Sequence, residues 1–308
     1  MMKAWLLRFH RWVTLVFAIP LAVLIVTGLV LSVEPILQSQ SIVPGSVSAA
    51  QLTDIVKKAD PEGKARSITI RGFEGYASVG LASGESSERD LKTGEEIEDG
   101  EDWLAEFMGA NRRIHEHLIG DMTWLVLAST WAMVALMVMG LLMGLPFLRN
   151  TVGGWHRMIA WVLLPLLILS PLSGLGIGHG ISLSSPAPQT DRTPLPLIEA
   201  IAIIGAKHDL SALTSIRVRG GRLMARIYEG GELKAFAVTK DGTVPLPRNW
   251  TRVIHEGNWA GTFSGILNVI TSIALIALMG TGIFIWARRS LKLRRMKQKK
   301  AAALAAAE

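Results

Sequence analysis

The chain has 308 residues, half of them hydrophobic, with a mean hydropathy of +0.36 and a formal charge of +7. It contains no cysteine, which excludes disulfides, thiolate zinc sites, cysteine-ligated iron–sulfur clusters and covalent haem attachment through a CxxCH sequence. The charge does not point to nucleic acid, because the basic residues crowd at the ends of apolar runs, above all in the tail Arg288, Arg289, Lys292, Arg294, Arg295, Lys297, Lys299 and Lys300.

Four apolar runs are long enough for a bilayer core of ~30 Å, which takes about 20 helical residues. In chain order they are Trp12–Val33, Trp124–Phe147, Ile159–Ile177 and Phe263–Trp286. The first follows Lys3, Arg8 and Arg11. No small-x-small cleavage site comes promptly after it, so it is expected to remain as a span. Arg149 and Arg157 flank the short link between the second and third runs, and the basic tail follows the fourth. The positive-inside rule then puts both termini and that link in the cytoplasm, and the two long connections outside. Trp5, Trp12, Trp124, Trp155, Trp161, Trp259 and Trp286 lie near run ends, as interfacial anchors do. The expected division is a helix over 1–35, an extracytoplasmic lobe over 36–121, a helix over 122–148, a link and helix over 149–180, a second lobe over 181–262, a helix over 263–287 and a basic tail over 288–308.

Each long connection has the same plan. In the first, Gln51–Ala59 reads as a short helix, Ala65–Arg71 and Tyr76–Ala82 alternate as strands, and a third strand near Glu88–Leu91 enters the turn Lys92–Thr93–Gly94–Glu95. In the second, a helix near Leu195–Ala206 precedes strands at Ser215–Arg219, Arg222–Tyr228 and Glu232–Val238, the last entering Lys240–Asp241–Gly242–Thr243. Ser184–Pro196, rich in Ser and Pro, reads as a linker. Each lobe is too small to bury much core alone, so the two are expected to pack on each other and on the helix leading into the next span.

The apolar runs repeat as well. Phe9–His10–Arg11–Trp12 opens the first and Trp155–His156–Arg157 the third, with 18 residues from His10 to Gly28 and 18 from His156 to Gly174. Ile114–His115–Glu116 and Ile254–His255–Glu256 precede the second and fourth, with 25 residues from His115 to Gly140 and 25 from His255 to Gly280. Both copies run in the same direction, a parallel repeat about an axis along the membrane normal. A shared spacing puts His10 and His156 at one depth, near the cytoplasmic ends of their helices, and His115 and His255 at another, near the outer ends. Two imidazoles at one depth can hold one metal from two sides, and a histidine in a span needs a polar reason. The bland alternative is an interfacial anchor.

The short helix, three strands, glycine turn and following helix resemble a PepSY domain. The FHRW…TG, IHE…G and WHR…SG elements around it are similar to the PepSY-associated transmembrane family, and the likeness covers nearly the whole chain. It implies a mainly α membrane fold of four transmembrane helices in a two-fold parallel repeat, with two small PepSY-like α+β extracytoplasmic lobes. Some members resemble inner-membrane ferric-siderophore reductases that carry b-type haems. On that resemblance His10, His156, His115 and His255 are axial ligands of two b haems, and Arg11 and Arg157 are partners for propionates. The expected partners are the membrane, a cytoplasmic electron donor or quinol, and a periplasmic ferric chelate, with no nucleic acid. The location is the bacterial inner membrane. The rival reading is a haem-free PepSY binding or regulatory module that the spans merely anchor; a transporter fits less well, for want of acidic residues in the spans.

Other residues are weighed beside these. Glu116 and Glu256 are candidate acceptors for imidazole N–H or else solvated carboxylates. Thr27, Gly28, Gly140, Ser173, Gly174 and Gly280 let a flat macrocycle approach a helix, and equally let helices pack. The stripe Met133, Met137, Met139 and Met143 reads as packing before thioether ligation. His117 reads as solvated, His179 as an outside candidate for an outer ligand, and His208, beside Asp209, as surface. No GxGxxG after a strand, P-loop or HExxH stands in the chain, so electrons have to come from a partner.

Overall fold

The computed structural model describes residues 2–97, 103–145, 149–190 and 195–306. Phe147, the expected end of the second apolar run, lies outside these ranges, as do residues 191–194 of the linker. The chain forms two compact units: Met1–Leu29, Arg113–His179 and Val269–Glu308 make one, and Val30–Arg112 with Gly180–Asn268 the other.

The first unit is helical. Helices α1 (Met2–Val16) and α2 (Ala18–Ser41) are separated by Phe17. Pro20 explains the break, because it has no N–H to offer the carbonyl of Val16 four residues back. The next two helices along the chain are α3 (Ala49–Ala59) and α4 (Trp103–His117). Then come α5 (Thr123–Leu142), α6 (Val152–Val162) and α7 (Leu164–Gly178), with α5 packed against α1, α6 and α7. The expected third span is bent by 66° at Leu163. Pro165 is the cause, since its missing N–H leaves the carbonyl of Trp161 without its helical donor. The last helix of the chain, α10 (Gly261–Ala305), runs 45 residues, about 65 Å at 1.5 Å per residue. Its apolar portion and its basic tail therefore form one continuous rod. Among the described residues three helices, α2, α5 and α10, are long and apolar enough to cross a membrane, and a fourth crossing results if α6 and α7 count as one bent span. The molecule is a mainly helical membrane protein.

The second unit is built on a sheet. Its strands are β1 (Ser67–Arg71), β2 (Tyr76–Gly80), β3 (Ser86–Asp90), β4 (Leu213–Arg219), β5 (Arg222–Glu229), β6 (Glu232–Thr239) and β7 (Gly242–Pro245). The remaining helices are α8 (Leu197–Gly205) and α9 (Trp250–Glu256). Strands β1 to β6 match the expected runs within a few residues, and β7 is additional. The two predicted lobes are not separate bodies. They share one seven-stranded antiparallel sheet in the order β3-β2-β1-β4-β5-β6-β7. The seam is β1 against β4, with Ile68 opposite Ile216.

Alternation explains which side of the sheet is covered. Ile68, Ile70, Ala77, Val79, Ile216, Ala225 and Ile227 point to one face, and all are buried. The fully buried Leu52, Ile55 and Val56 of α3, with Ala200, Ile201 and Ile204 of α8, complete a single core with them. Helix α3 starts on a capping box, Ser48 accepting from the Gln51 backbone N–H while the Gln51 side chain accepts from that of Ser48. The opposite face carries Ser67, Thr69, Arg71, Ser215, Arg217, Arg219, Arg222, Met224 and Arg226 by the same period of two.

Candidate functional site

Within the helical unit, His10 of α1 and His156 of α6 come within Coulombic reach of each other. His156 is aimed by a tight entry turn. Thr151 caps α6 by accepting from the Gly154 N–H at 3.1 Å. A Cβ on Gly154 would lie 1.9 Å from the Arg149 carbonyl oxygen, so only glycine lets the chain turn there. Two residues after it, the His156 ring meets α10, with Nδ1 2.8 Å from Thr281 Oγ1.

The hydroxyl fixes the tautomer. Thr281 Oγ1 has one proton, and it is given to the carbonyl of Ala277 at 2.6 Å. Towards the imidazole the oxygen can only accept, so His156 Nδ1 carries the hydrogen and the ring lone pair sits on Nε2. Beside this hydroxyl, a Cβ on Gly282 would stand 3.6 Å from His156 Cε1.

His115 has the same surroundings on other elements. Its Nδ1 lies 3.0 Å from Thr27 Oγ1 on α2, and that hydroxyl is already committed to the Val23 carbonyl at 2.7 Å. Towards that oxygen the His115 Nδ1 is therefore the donor, as His156 Nδ1 is towards Thr281. A Cβ on Gly28 would be 3.2 Å from His115 Cε1, so the glycine is what admits the ring. A Thr–Gly dipeptide thus receives a histidine twice, Thr27–Gly28 for His115 and Thr281–Gly282 for His156. Thr27 lies 17 residues beyond His10, about 25 Å along a helix, so the two histidine levels are well apart.

Sequence reasoning missed Thr281 and Gly282, and it left Glu116 and Glu256 open between imidazole acceptor and solvated carboxylate. Glu116 is 56% exposed and lies 3.8 Å from His117 Nε2. Glu256, in the sheet unit, accepts from Arg252 at 2.7 Å and from Asn258 at 3.1 Å. A recurrence of Thr–Gly in VTGLV and GTGIF was the available signal. Gly140 and Gly280, from which the histidine spacings were counted, touch no ring: a Cβ on either meets nothing within 4 Å. The Arg157 side chain is exposed and its Nε donates to the Gly153 carbonyl at 3.0 Å, while Arg11 is half-buried.

The other histidines are now placed. His255 belongs to the sheet unit at the end of α9, which Asn249 caps through the Arg252 N–H at 3.1 Å. Its backbone carbonyl accepts from Asn268 at 3.0 Å. His117 is exposed, 3.1 Å from Thr123 Oγ1 and 3.2 Å from Asp121. His179 Nε2 accepts from Trp131 Nε1 at 3.3 Å. His208 is not at the surface as expected. Its side chain is 11% exposed, Nδ1 lies 2.5 Å from Glu229 Oε1, and Nε2 lies 2.8 Å from Thr243 Oγ1. Met139 is buried on α5, in keeping with a packing role for the stripe.

These residues fit a b-type haem. Its macrocycle supplies four ligands, so the protein has to provide only two axial donors, and neutral imidazole with its lone pair on Nε2 is the strong donor present. Among the described residues no three His, Cys, Asp or Glu side chains converge as a bare metal ion requires. Residues 7–289 match the family described as PepSY-associated TM region. No curated protein matches the chain.

Proposed function

The chain belongs to the PepSY-associated TM family, and from its histidine geometry we propose that it is a di-haem b protein of the bacterial inner membrane. It moves electrons from a cytoplasmic donor or the quinol pool to a periplasmic acceptor, a ferric chelate of the siderophore type. The observation that carries this reading is the pair of threonine hydroxyls whose own protons are spent on helix carbonyls. Such a hydroxyl orients an imidazole for metal ligation and raises its basicity; an interfacial anchor needs no such partner.

In this reading His10 and His156 hold one haem, and His115 and His255, paired by their sequence spacing, hold the other. Haem iron supplies one-electron chemistry at a potential set by its ligands. Thr281 and Thr27 fix the ring tautomers, Gly28 gives the His115 ring room, and Arg11 and Arg157 stand beside the first level as partners for propionates. The four spans form a two-fold parallel repeat, with both termini cytoplasmic beside the basic tail. Three features favour the repeat. Each helix break falls seven residues after a histidine, Phe17 after His10 and Leu163 after His156. Thr27 donates to Val23 and Leu24 at 2.7 and 3.2 Å. Ser173, 146 residues on, donates to Leu169 and Ser170 at 2.7 and 2.9 Å. Reducing Fe(III) to Fe(II) lowers the charge that hard oxygen chelators grip, and so releases iron.

The test is haem per chain in purified protein, with a reduced-minus-oxidised spectrum. Two haems are expected. His10→Ala and His156→Ala deplete one of them, and His115→Ala and His255→Ala the other. A colourless protein from haem-replete cells refutes the reading in favour of an anchored PepSY module, and loss of one shared haem from all four variants refutes the pairing.

A further inference from the structure

The face of the sheet opposite α3 and α8 carries a concentration of positive charge. Arg217 and Arg219 of β4 and Arg222 and Arg226 of β5 share it, and Arg219 stands directly opposite Arg222 in the register. Like charges directly opposite across a strand pair are destabilising, so this arrangement costs the fold something that a sheet face of mixed polarity would not. Arg252 of α9 joins the cluster. With Arg219 it lines a cavity of about 340 Å³ together with Arg217 and Val218.

The carboxylate of Glu256 partly offsets these charges. It lies 2.7 Å from Arg252 and 3.7 Å from Arg226. That leaves Arg217, Arg219 and Arg222, which make no ion pair among the described residues. Burial first, then the charges of Arg226, Arg219 and Arg252, hold the Arg217 guanidinium below its ordinary pKa, with Glu256 acting the other way. The other half of the same face differs, for Glu34 sits between Arg71 and Arg112 and answers both. On this face the unpaired charge thus lies on β4 and β5, with the paired Arg252 of α9 beside it.

We infer that this arginine-lined cleft binds a small ligand carrying two or more oxyanion groups, and that the acceptor of this protein is a polyanionic ferric chelate of the hydroxycarboxylate kind. Guanidinium forks match carboxylate in bidentate fashion, and a cavity of this size suits a small chelate. The acceptor assignment rests on the proposed function; the anion site does not. Phosphate groups of anionic lipid share the same chemistry, and the test separates them from a soluble ligand.

The experiment is equilibrium dialysis of gallium(III) citrate, a redox-inert stand-in for ferric citrate, against the full chain in nanodiscs of zwitterionic lipid. Arg217→Gln/Arg219→Gln should weaken binding about tenfold or more, and Arg217→Lys/Arg219→Lys should restore part of it. Lys57→Gln/Lys240→Gln, which removes the same charge from α3 and the β6–β7 turn, should leave it unchanged. Glu256→Gln, which removes the competing carboxylate, should tighten binding, and an uncharged ferric trihydroxamate should not respond to any of these changes. Haem content is measured on each variant. Binding that is absent, or equal in the two double Gln variants, overturns the anion site whether or not haem is present. Loss of binding only when nanodiscs contain anionic lipid, with the arginine variants releasing that lipid instead, overturns the soluble ligand. Citrate binding by a protein that carries no haem overturns the acceptor assignment alone.

Discussion

Thr281→Val is the most direct probe of the histidine geometry. Valine keeps the branched shape and removes the oxygen that lies 2.8 Å from His156 Nδ1. The Ala277 carbonyl, which also loses the threonine hydroxyl, keeps its helical donor. The ring N–H is then left without its hydroxyl acceptor in a half-buried place, at a cost of about 1–3 kcal/mol. Loss of an outer partner of a ligating histidine costs about 10–100-fold in affinity, a range that lies within the roughly 5- to 160-fold that such a cost implies, and tenfold is its lower end. The assay is transfer of haem from the detergent-solubilised protein to an excess of a haem-scavenging apoprotein. Thr281→Val should lose one haem about ten times more readily than the parent. Its midpoint potential should rise, because a less basic imidazole stabilises Fe(III) less. Glu116→Gln should change neither quantity. Unaltered retention and potential in Thr281→Val would refute the tautomer argument and with it the reason for assigning these rings to a metal.

Three further outcomes follow from the same coordinates. Gly28→Val puts carbon where His115 Cε1 allows a Cβ only 3.2 Å of room, so it should displace the ring and deplete one haem, read from the alpha-band amplitude, while leaving the other. Ile68→Ala and Ile216→Ala each remove a fully buried side chain at the seam and should each cost about 2–5 kcal/mol; facing each other, they should cost less together than their sum, in urea unfolding followed by protease resistance of the sheet unit. Asp90 accepts from the backbone N–H of Thr93 at 2.8 Å and of Lys92 at 2.9 Å, and the Thr93 bond first, with the Lys92 bond, holds its carboxyl below the usual carboxylate range. Its stabilising contribution is therefore present above the ordinary carboxylate pKa and lost as pH falls through the depressed one. Asp90→Asn should flatten that acid limb of the unfolding curve, and a limb of unchanged steepness would count against the turn.

Much of this was legible in the sequence, for reasons that differ by element. Apolar runs of more than 20 residues and strands of period two are local signals, and they located α2, α5, α10 and six of the seven strands. The His–Gly spacings paired His10 with His156, and the two lie within Coulombic reach of each other. What stayed hidden depends on distant partners. The β1–β4 seam joins residues about 150 positions apart, and nothing in the SITIR of β1 states which strand it will border. His208 reads as surface because Lys207 and Asp209 flank it, yet its ring partners Glu229 and Thr243 come 21 and 35 residues later. Thr281 looked like one more small residue in a span, and only the packing of α6 near it shows that its hydroxyl serves an imidazole.

The junction at Ile68 and Ile216 also says something about how a protein like this can arise. On the proposed two-fold repeat Ile68 and Ile216 are counterparts, and two antiparallel edges that meet at counterparts make a self-complementary border, the kind found between identical subunits related by a two-fold axis. A chain of half the length would expose the β1 edge with nothing of its own to cover it, and a second copy, turned end for end, would supply the match. Expressed alone, the stretch up to the second span should therefore be recovered as a homodimer, and its covalent doubling would have needed no new interface.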